Sequence, residues 1–139
     1  MSDHEAPAIP AGDVWTWADF EPGLALNTVS VTLDRAKLDL WEEVYGPGPS
    51  YGLPRGLLVS AMVEAFIKSG QPRPAGNIHA SQELAFEGPA PKLGDVLTVK
   101  AACAGKEIRK DRKWVTIRTE GRIDGEIVCR GDFLIIWKL

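Results

Sequence analysis

Apolar and polar positions divide the chain into stretches of two different periods. Residues 25–32, ALNTVSVT, are β-branched and alternate with polar positions, which predicts a strand. In TLDRAKLDLWEEVYG, Leu33, Ala36, Leu40, Trp41 and Val44 recur near one helical face. Thr32 is the expected N-cap of that helix, and Gly46 the expected residue just past its end. The segment PGPSYGLPR (47–55) is punctuated by Pro and Gly and cannot be regular structure. From Leu57 to Ser69 the period is helical again, with Gly70 as terminator. Here Leu57, Leu58, Ala61, Met62, Val63, Ala65, Phe66 and Ile67 cover nearly the whole circumference, which predicts a buried helix. Downstream the period falls to two. NIHASQELAF sets Ile78, Ala80, Gln82, Leu84 and Phe86 against polar positions, and DVLTVKAACAG does the same with Leu97, Val99, Ala101 and Cys103. KWVTIRTEGRI and EIVCRGDFLIIWKL flank Asp124-Gly125, a strong two-residue hairpin signal.

The order is therefore strand, helix, loop, buried helix, then four or more antiparallel strands. One sheet long enough to curl around one long central helix fits this order, which is the α+β hotdog arrangement. Residues 1–24 are expected to be an N-terminal arm and first edge segment, and 25–139 a single hotdog domain. Such a unit leaves strand edges and one face of the helix uncovered, so a homodimer or a dimer of dimers is expected.

Composition narrows the function classes. The 139 residues suffice for one domain with a real core, and 45% hydrophobic with 25% charged residues is typical of a soluble globular chain. A net charge of −3 supplies neither a basic field for nucleic acid nor a polybasic membrane anchor. The opening MSDHEAPAIPAGD is acidic and Pro-rich with no apolar core, so it reads as a loose arm and not as a signal peptide. Cys103 and Cys129 fall in strands and read as buried thiols of a reducing cytoplasm. His4 and His79 have no His or Cys at ligand spacing, so no metal site is expected.

PRGLLVSAMVEAF, LAFEGPAPKLGDVLTV and GEIVCRGDFLIIW together resemble the MaoC-like dehydratase/hydratase group of hotdog proteins, over roughly residues 25 to 137. Gly56 matches a glycine that opens the central helix, and Phe86, Pro89, Gly94, Asp95 and Leu97 match the Phe-x-x-Pro and Gly-Asp elements. The resemblance implies an enoyl-CoA hydratase or acyl dehydratase, a hydro-lyase acting on acyl thioesters of coenzyme A or a carrier protein, with no separate cofactor. It also implies that the helix-opening N–H polarises the thioester carbonyl, a role suited to bare amides at the positive end of a helix dipole.

The carry-over is uneven. The family's Asp-x-Asn-Pro-x-His run should follow Gly46, yet GPGPSYGLPRG leads directly to the helix. No His lies between His4 and His79, and no Asp between Asp39 and Asp95. The related carrier-protein dehydratases place a Glu five residues after the glycine, where this chain has Ala61. Some hotdog thioesterases use an acid two turns past the glycine, and Glu64 occupies that position. Glu64 is thus either a nucleophile or water activator, or one half of an i,i+4 pair with Lys68. Gly56 is either an oxyanion donor or a tight way into the helix. Arg55, where the family often has His, favours an anionic neighbour, either a ligand or an acid of a partner chain. Tyr45, Tyr51 and Leu57 are candidate lining of an acyl pocket. KEIRKDRK (106–113) reads as a grip on coenzyme A phosphates or as a solvated hairpin tip. His79 reads as a polar strand position, and Asp95 as a turn organiser. Three functions stay open: a divergent hydratase/dehydratase, a thioesterase using Glu64, and a non-catalytic acyl-thioester-binding subunit for a related catalytic chain.

Overall fold

A computed structural model describes residues 7–48 and 52–139. Its elements run β1 (Val29–Thr32), α1 (Arg35–Tyr45), α2 (Arg55–Ser69), β2 (Ile78–Phe86), β3 (Val96–Arg109), β4 (Arg112–Ile123) and β5 (Glu126–Trp137). The five strands form one antiparallel sheet in the order β1-β3-β4-β5-β2, so the strand that follows the helices sits at the far edge. The expected wrapping of a sheet around a central helix is what the chain adopts.

α2 lies on the concave face because its apolar side chains have nowhere else to go. Leu57, Leu58, Ala61, Met62, Ala65 and Phe66 are buried, against Leu97, Val99, Val115, Ile117, Phe133 and Ile135 of the sheet. The helix packs tightly on Gly121, where a Cβ would come within 2.8 Å of the Met62 sulfur. Two buried hydroxyls are satisfied locally: Ser69 donates to the Phe66 carbonyl at 2.7 Å and Thr119 to the Gly131 carbonyl at 2.9 Å. The burial is not complete around the rod. Val59 and Val63 are half-buried, Val63 packing on the edge of the core, and Ile67 is exposed, so part of the circumference is left uncovered by the described residues.

α1 departs more from expectation. Its N-cap is Asp34, whose carboxylate accepts from the Lys37 amide at 3.0 Å. Thr32 cannot serve, because it is paired with Val96 as the last residue of β1. Gly46 ends the helix at φ 79, a value suited to glycine. Of the expected apolar face, Leu33 is buried and Trp41 packs against the core, but Leu40 and Val44 are 65% and 69% exposed.

β2 also reads differently from its pattern. A bulge between His79 and Ser81 shifts the pleat, so that His79, Gln82, Leu84 and Phe86 stand opposite the inward-facing Ile135, Phe133, Gly131 and Cys129. Its other edge is unpaired among the described residues. The segment before β1 is bound to the sheet through Trp15 and Phe20. Both are buried, Phe20 sits edge-on to Trp137 at 4.8 Å, and the Trp137 indole N–H donates to the Trp15 carbonyl at 2.8 Å.

Candidate functional site

The first turn of α2 is built with little of its own capping. Its N-cap is Pro54, which has no side-chain acceptor, and the Leu57 amide turns back to the Pro54 carbonyl at 3.0 Å. The amides of Arg55 and Gly56 meet no acceptor among the described residues. The positive end of the central helix is therefore bare. Gly56 has a packing role as well. A Cβ there would overlap Cη2 of Trp41 and come within 2.7 Å of its Cζ2. The indole of α1 leans on the space where a side chain would be.

That contact opens a groove between the two helices. Lys37, Leu40, Trp41, Val44 and Tyr45 of α1 face Leu57, Ser60, Ala61 and Glu64 of α2 around a cavity of about 310 Å³. The volume is at the lower end of the range for small-molecule sites, and the walls are mostly apolar. Tyr45 extends the aromatic wall, its ring 4.3 Å from that of Trp41. Three of the sequence candidates, Tyr45, Leu57 and Glu64, thus line one groove, and Arg55 and Gly56 are not among its lining residues. Tyr51 lies outside the described residues.

Glu64 stands at the rim. Its carboxylate is 3.0 Å from Lys68 Nζ, and both side chains are partly exposed. The i,i+4 pair is present, while the carboxylate still borders the groove. Eight residues of helix separate it from Gly56, about 12 Å along the axis. Glu64 and the Gly56 amide of one chain do not reach the same carbonyl.

Arg55 turns the other way. Its guanidinium carbon lies 4.6 Å over the Phe86 ring, beside a smaller recess of about 70 Å³ lined also by Leu58, Glu87 and Pro89. Below it, burial pushes the Cys129 thiol up to about 11, moderated by the positive charge of Arg55 and reinforced by Glu87. Burial likewise raises the Cys103 thiol, and both cysteines are free. His79 is remote from the groove. It sits edge-on to Phe66 and Phe133 at 5.6 and 5.5 Å. Asp95 does organise a turn, accepting from the Lys92 amide at 2.8 Å. Among the described residues no three His, Cys, Asp or Glu side chains cluster as a metal site would require.

The contributions of Trp41, Ser60 and Ala61 were not marked as site residues by the sequence. The usable signal was the apolar surplus of α1, whose Leu40 and Val44 exceed what one buried face needs.

No family model matches the chain, and no curated protein matches it. Solved structures do. A MaoC-like dehydratase from Rhodospirillum rubrum is 19% identical with a TM-score of 0.72, over 88% of this chain and 96% of that one. The HadBC (3R-hydroxyacyl-ACP dehydratase) complex of Mycobacterium tuberculosis is 14% identical with a TM-score of 0.66, over 83% and 96%. A thioesterase from Thermus thermophilus, complexed with coenzyme A and zinc, is 19% identical with a TM-score of 0.59, over 81% and 78%. The chain has the hotdog fold that these proteins share. No described helix is long and apolar enough to cross a membrane.

Proposed function

We propose that this chain is an acyl-thioester-binding protein of the MaoC-like dehydratase/hydratase kind, with the acyl chain in the α1–α2 groove. The observation that carries the reading is an apolar groove that reaches the first turn of α2 at Leu57, one residue past Gly56, on which its wall residue Trp41 packs. Apolar walls suit the acyl portion, and the free amides suit the partial negative charge of a thioester carbonyl. The neighbours' dehydratase activities support the same substrate class. Coenzyme A and carrier-linked forms share the recognised chemistry. The acid–base pair for hydration is not assigned: the described groove offers Lys37, Tyr45, Ser60 and Glu64, of which Lys37 lies 3.9 Å from Asp34 and Glu64 is paired with Lys68.

A second copy, or a related catalytic chain, completes the assembly in this reading. The β2 edge, unpaired among the described residues, and the incompletely covered Val59 and Ile67 support it, as does the neighbour solved as a complex. Two free buried thiols support a reducing, cytoplasmic setting.

The test is a panel of acyl- and 2-enoyl-CoA esters of increasing length. Binding is read from tryptophan fluorescence, hydration from loss of enoyl-thioester absorbance, and hydrolysis from free thiol. Failure of every ester to bind ends the proposal. Binding without either reaction assigns the non-catalytic role. One observation favours a thioesterase as the second reading: Glu64 borders the same groove. Because Glu64 and Gly56 are too far apart within one chain, that reading needs Glu64 from one protomer and the amides from another. It predicts thiol release that Glu64→Gln abolishes.

A further inference from the structure

Charge is not spread evenly over this molecule. The octet 106–113 carries five basic and two acidic residues, a net +3 in a chain of net −3, which leaves −6 on the remainder. These residues form the β3–β4 hairpin end. Among the described residues Lys110, Arg112 and Lys113 have no acidic partner. Lys106 and Arg109 lie over the rings of Trp17 and Trp114 at 4.1 and 4.4 Å.

The tip breaks local rules that the same chain respects elsewhere. The β4–β5 turn places Asp124 and Gly125 at φ 50 and 83, the residues such a left-handed turn favours. The β3–β4 turn adopts the same conformation with Lys110 and Asp111, at φ 53 and 61. Arg109 and Arg112 stand directly opposite each other, a like-charge pair that costs stability. Ile108, opposite Lys113, is 63% exposed. Glu107 at 3.6 Å and the Trp114 ring ease the charge of Arg109, but among the described residues nothing does the same for the left-handed Lys110 or the exposed Ile108, and local conflicts of that kind mark functional sites.

From this we infer that the hairpin tip docks the protein onto an anionic lipid surface, with Lys110, Arg112 and Lys113 against the headgroups and Ile108 dipping between them. A small phosphorylated ligand fits poorly, because the adjacent cavity is lined by Gly105, Lys106, Glu107, Trp114, Thr116 and Leu134 and by none of these three cations. Single-stranded nucleic acid would need open aromatic faces, whereas both tryptophans already carry a cation. A protein interface of standard size needs about 800 Å² per partner, and the end of a two-stranded hairpin is too narrow for it. Lipid attraction needs no shaped footprint, each cation near an anionic leaflet adding roughly fivefold in affinity. The acidic remainder is repelled, so only this end approaches. The net charge of the chain, read as excluding a membrane anchor, averages this segregation away.

The experiment is sedimentation of the full chain with vesicles of phosphatidylcholine alone or mixed with phosphatidylglycerol. Binding is expected only to the mixed vesicles and is released by salt. Lys110→Glu with Arg112→Glu lowers it by about 20-fold or more at a melting temperature that does not fall, since Arg112→Glu removes the like-charge pair with Arg109, while Arg35→Gln with Lys92→Gln does not weaken binding. Absence of binding to the mixed vesicles overturns the inference. So does binding indifferent to the tip variant, or retention on heparin without any vesicle binding, which assigns the tip to another polyanion.

Discussion

The indole of Trp41 occupies the space that a side chain at position 56 would fill. The absence of a Cβ at Gly56 is what lets α1 close over the first turn of α2 and shape the groove. Two effects of opposite sign meet in Gly56→Ala. Helix propensity alone would stabilise by up to ~1 kcal/mol. Overlap with a rigid ring costs about 1–3 kcal/mol. The overlap wins, and the melting temperature is expected to fall by about 5 °C. In a Trp41→Leu background the same substitution should become neutral or stabilising. A rise in the otherwise unaltered chain would show that Trp41 does not hold that position.

Filling the groove tests the acyl site without touching the core. Ser60 is exposed and lines the cavity. Ser60→Trp should weaken acyl-CoA binding by about tenfold or more, and stability should stay within about 0.5 kcal/mol. Unchanged affinity in fluorescence titration would place the acyl chain elsewhere.

An unprotected strand edge next to uncovered apolar helix positions calls for a partner. Light scattering is expected to return at least a dimer for the unaltered chain. Ile67→Lys with Ile78→Lys, exposed apolar positions on α2 and β2, should shift it to monomer. A monomer at the outset would leave the edge without that explanation.

Cys129 gives a pH signature. Its thiol is neutral in the fold up to about 11 because of burial, whereas an ordinary thiol titrates near 9. Between those values the unfolded chain binds fewer protons than the folded one, so stability falls as pH rises. Below pH 9 the contribution is fully present. Melting temperatures measured from pH 7 to 11 should decline above 9, and Cys129→Ala should flatten part of that decline. Lysine and tyrosine titrations are common to both proteins, so the difference isolates the thiol. Equal slopes would contradict the burial of Cys129.

Much of the architecture was readable in the sequence. The helix expected from Leu57 to Ser69 announced itself through apolar residues on nearly every side and starts two residues earlier, at Arg55, and Asp124-Gly125 fixed the last hairpin. What escaped depended on relations between distant positions. The bulge at His79 and Ser81 puts His79 on the face expected for Ile78 and Ala80 while Gln82, Leu84 and Phe86 keep theirs, and no local pattern signals it. Thr32 looked like a cap until β1 claimed it by pairing with Val96. The glycine at 56 was visible, but its neighbour Trp41 was not, because fourteen residues, a Pro/Gly-rich stretch among them, separate the two. Glu64 and Lys68 were legible as a pair because helical spacing is local. That Glu64 also borders a groove with Tyr45 and Leu57 required the packing of two helices.

The tie between Trp15 and Trp137 carries a last implication. What precedes the first strand acts as a latch on the final one: a ring, a carbonyl and the edge-on Phe20 together shut the end of the barrel-like core. Trimming the molecule back to its sheet and helices would therefore strip a lid off the hydrophobic interior. The smallest unit that keeps its interior dry begins ahead of Trp15, well upstream of the first hydrogen-bonded strand.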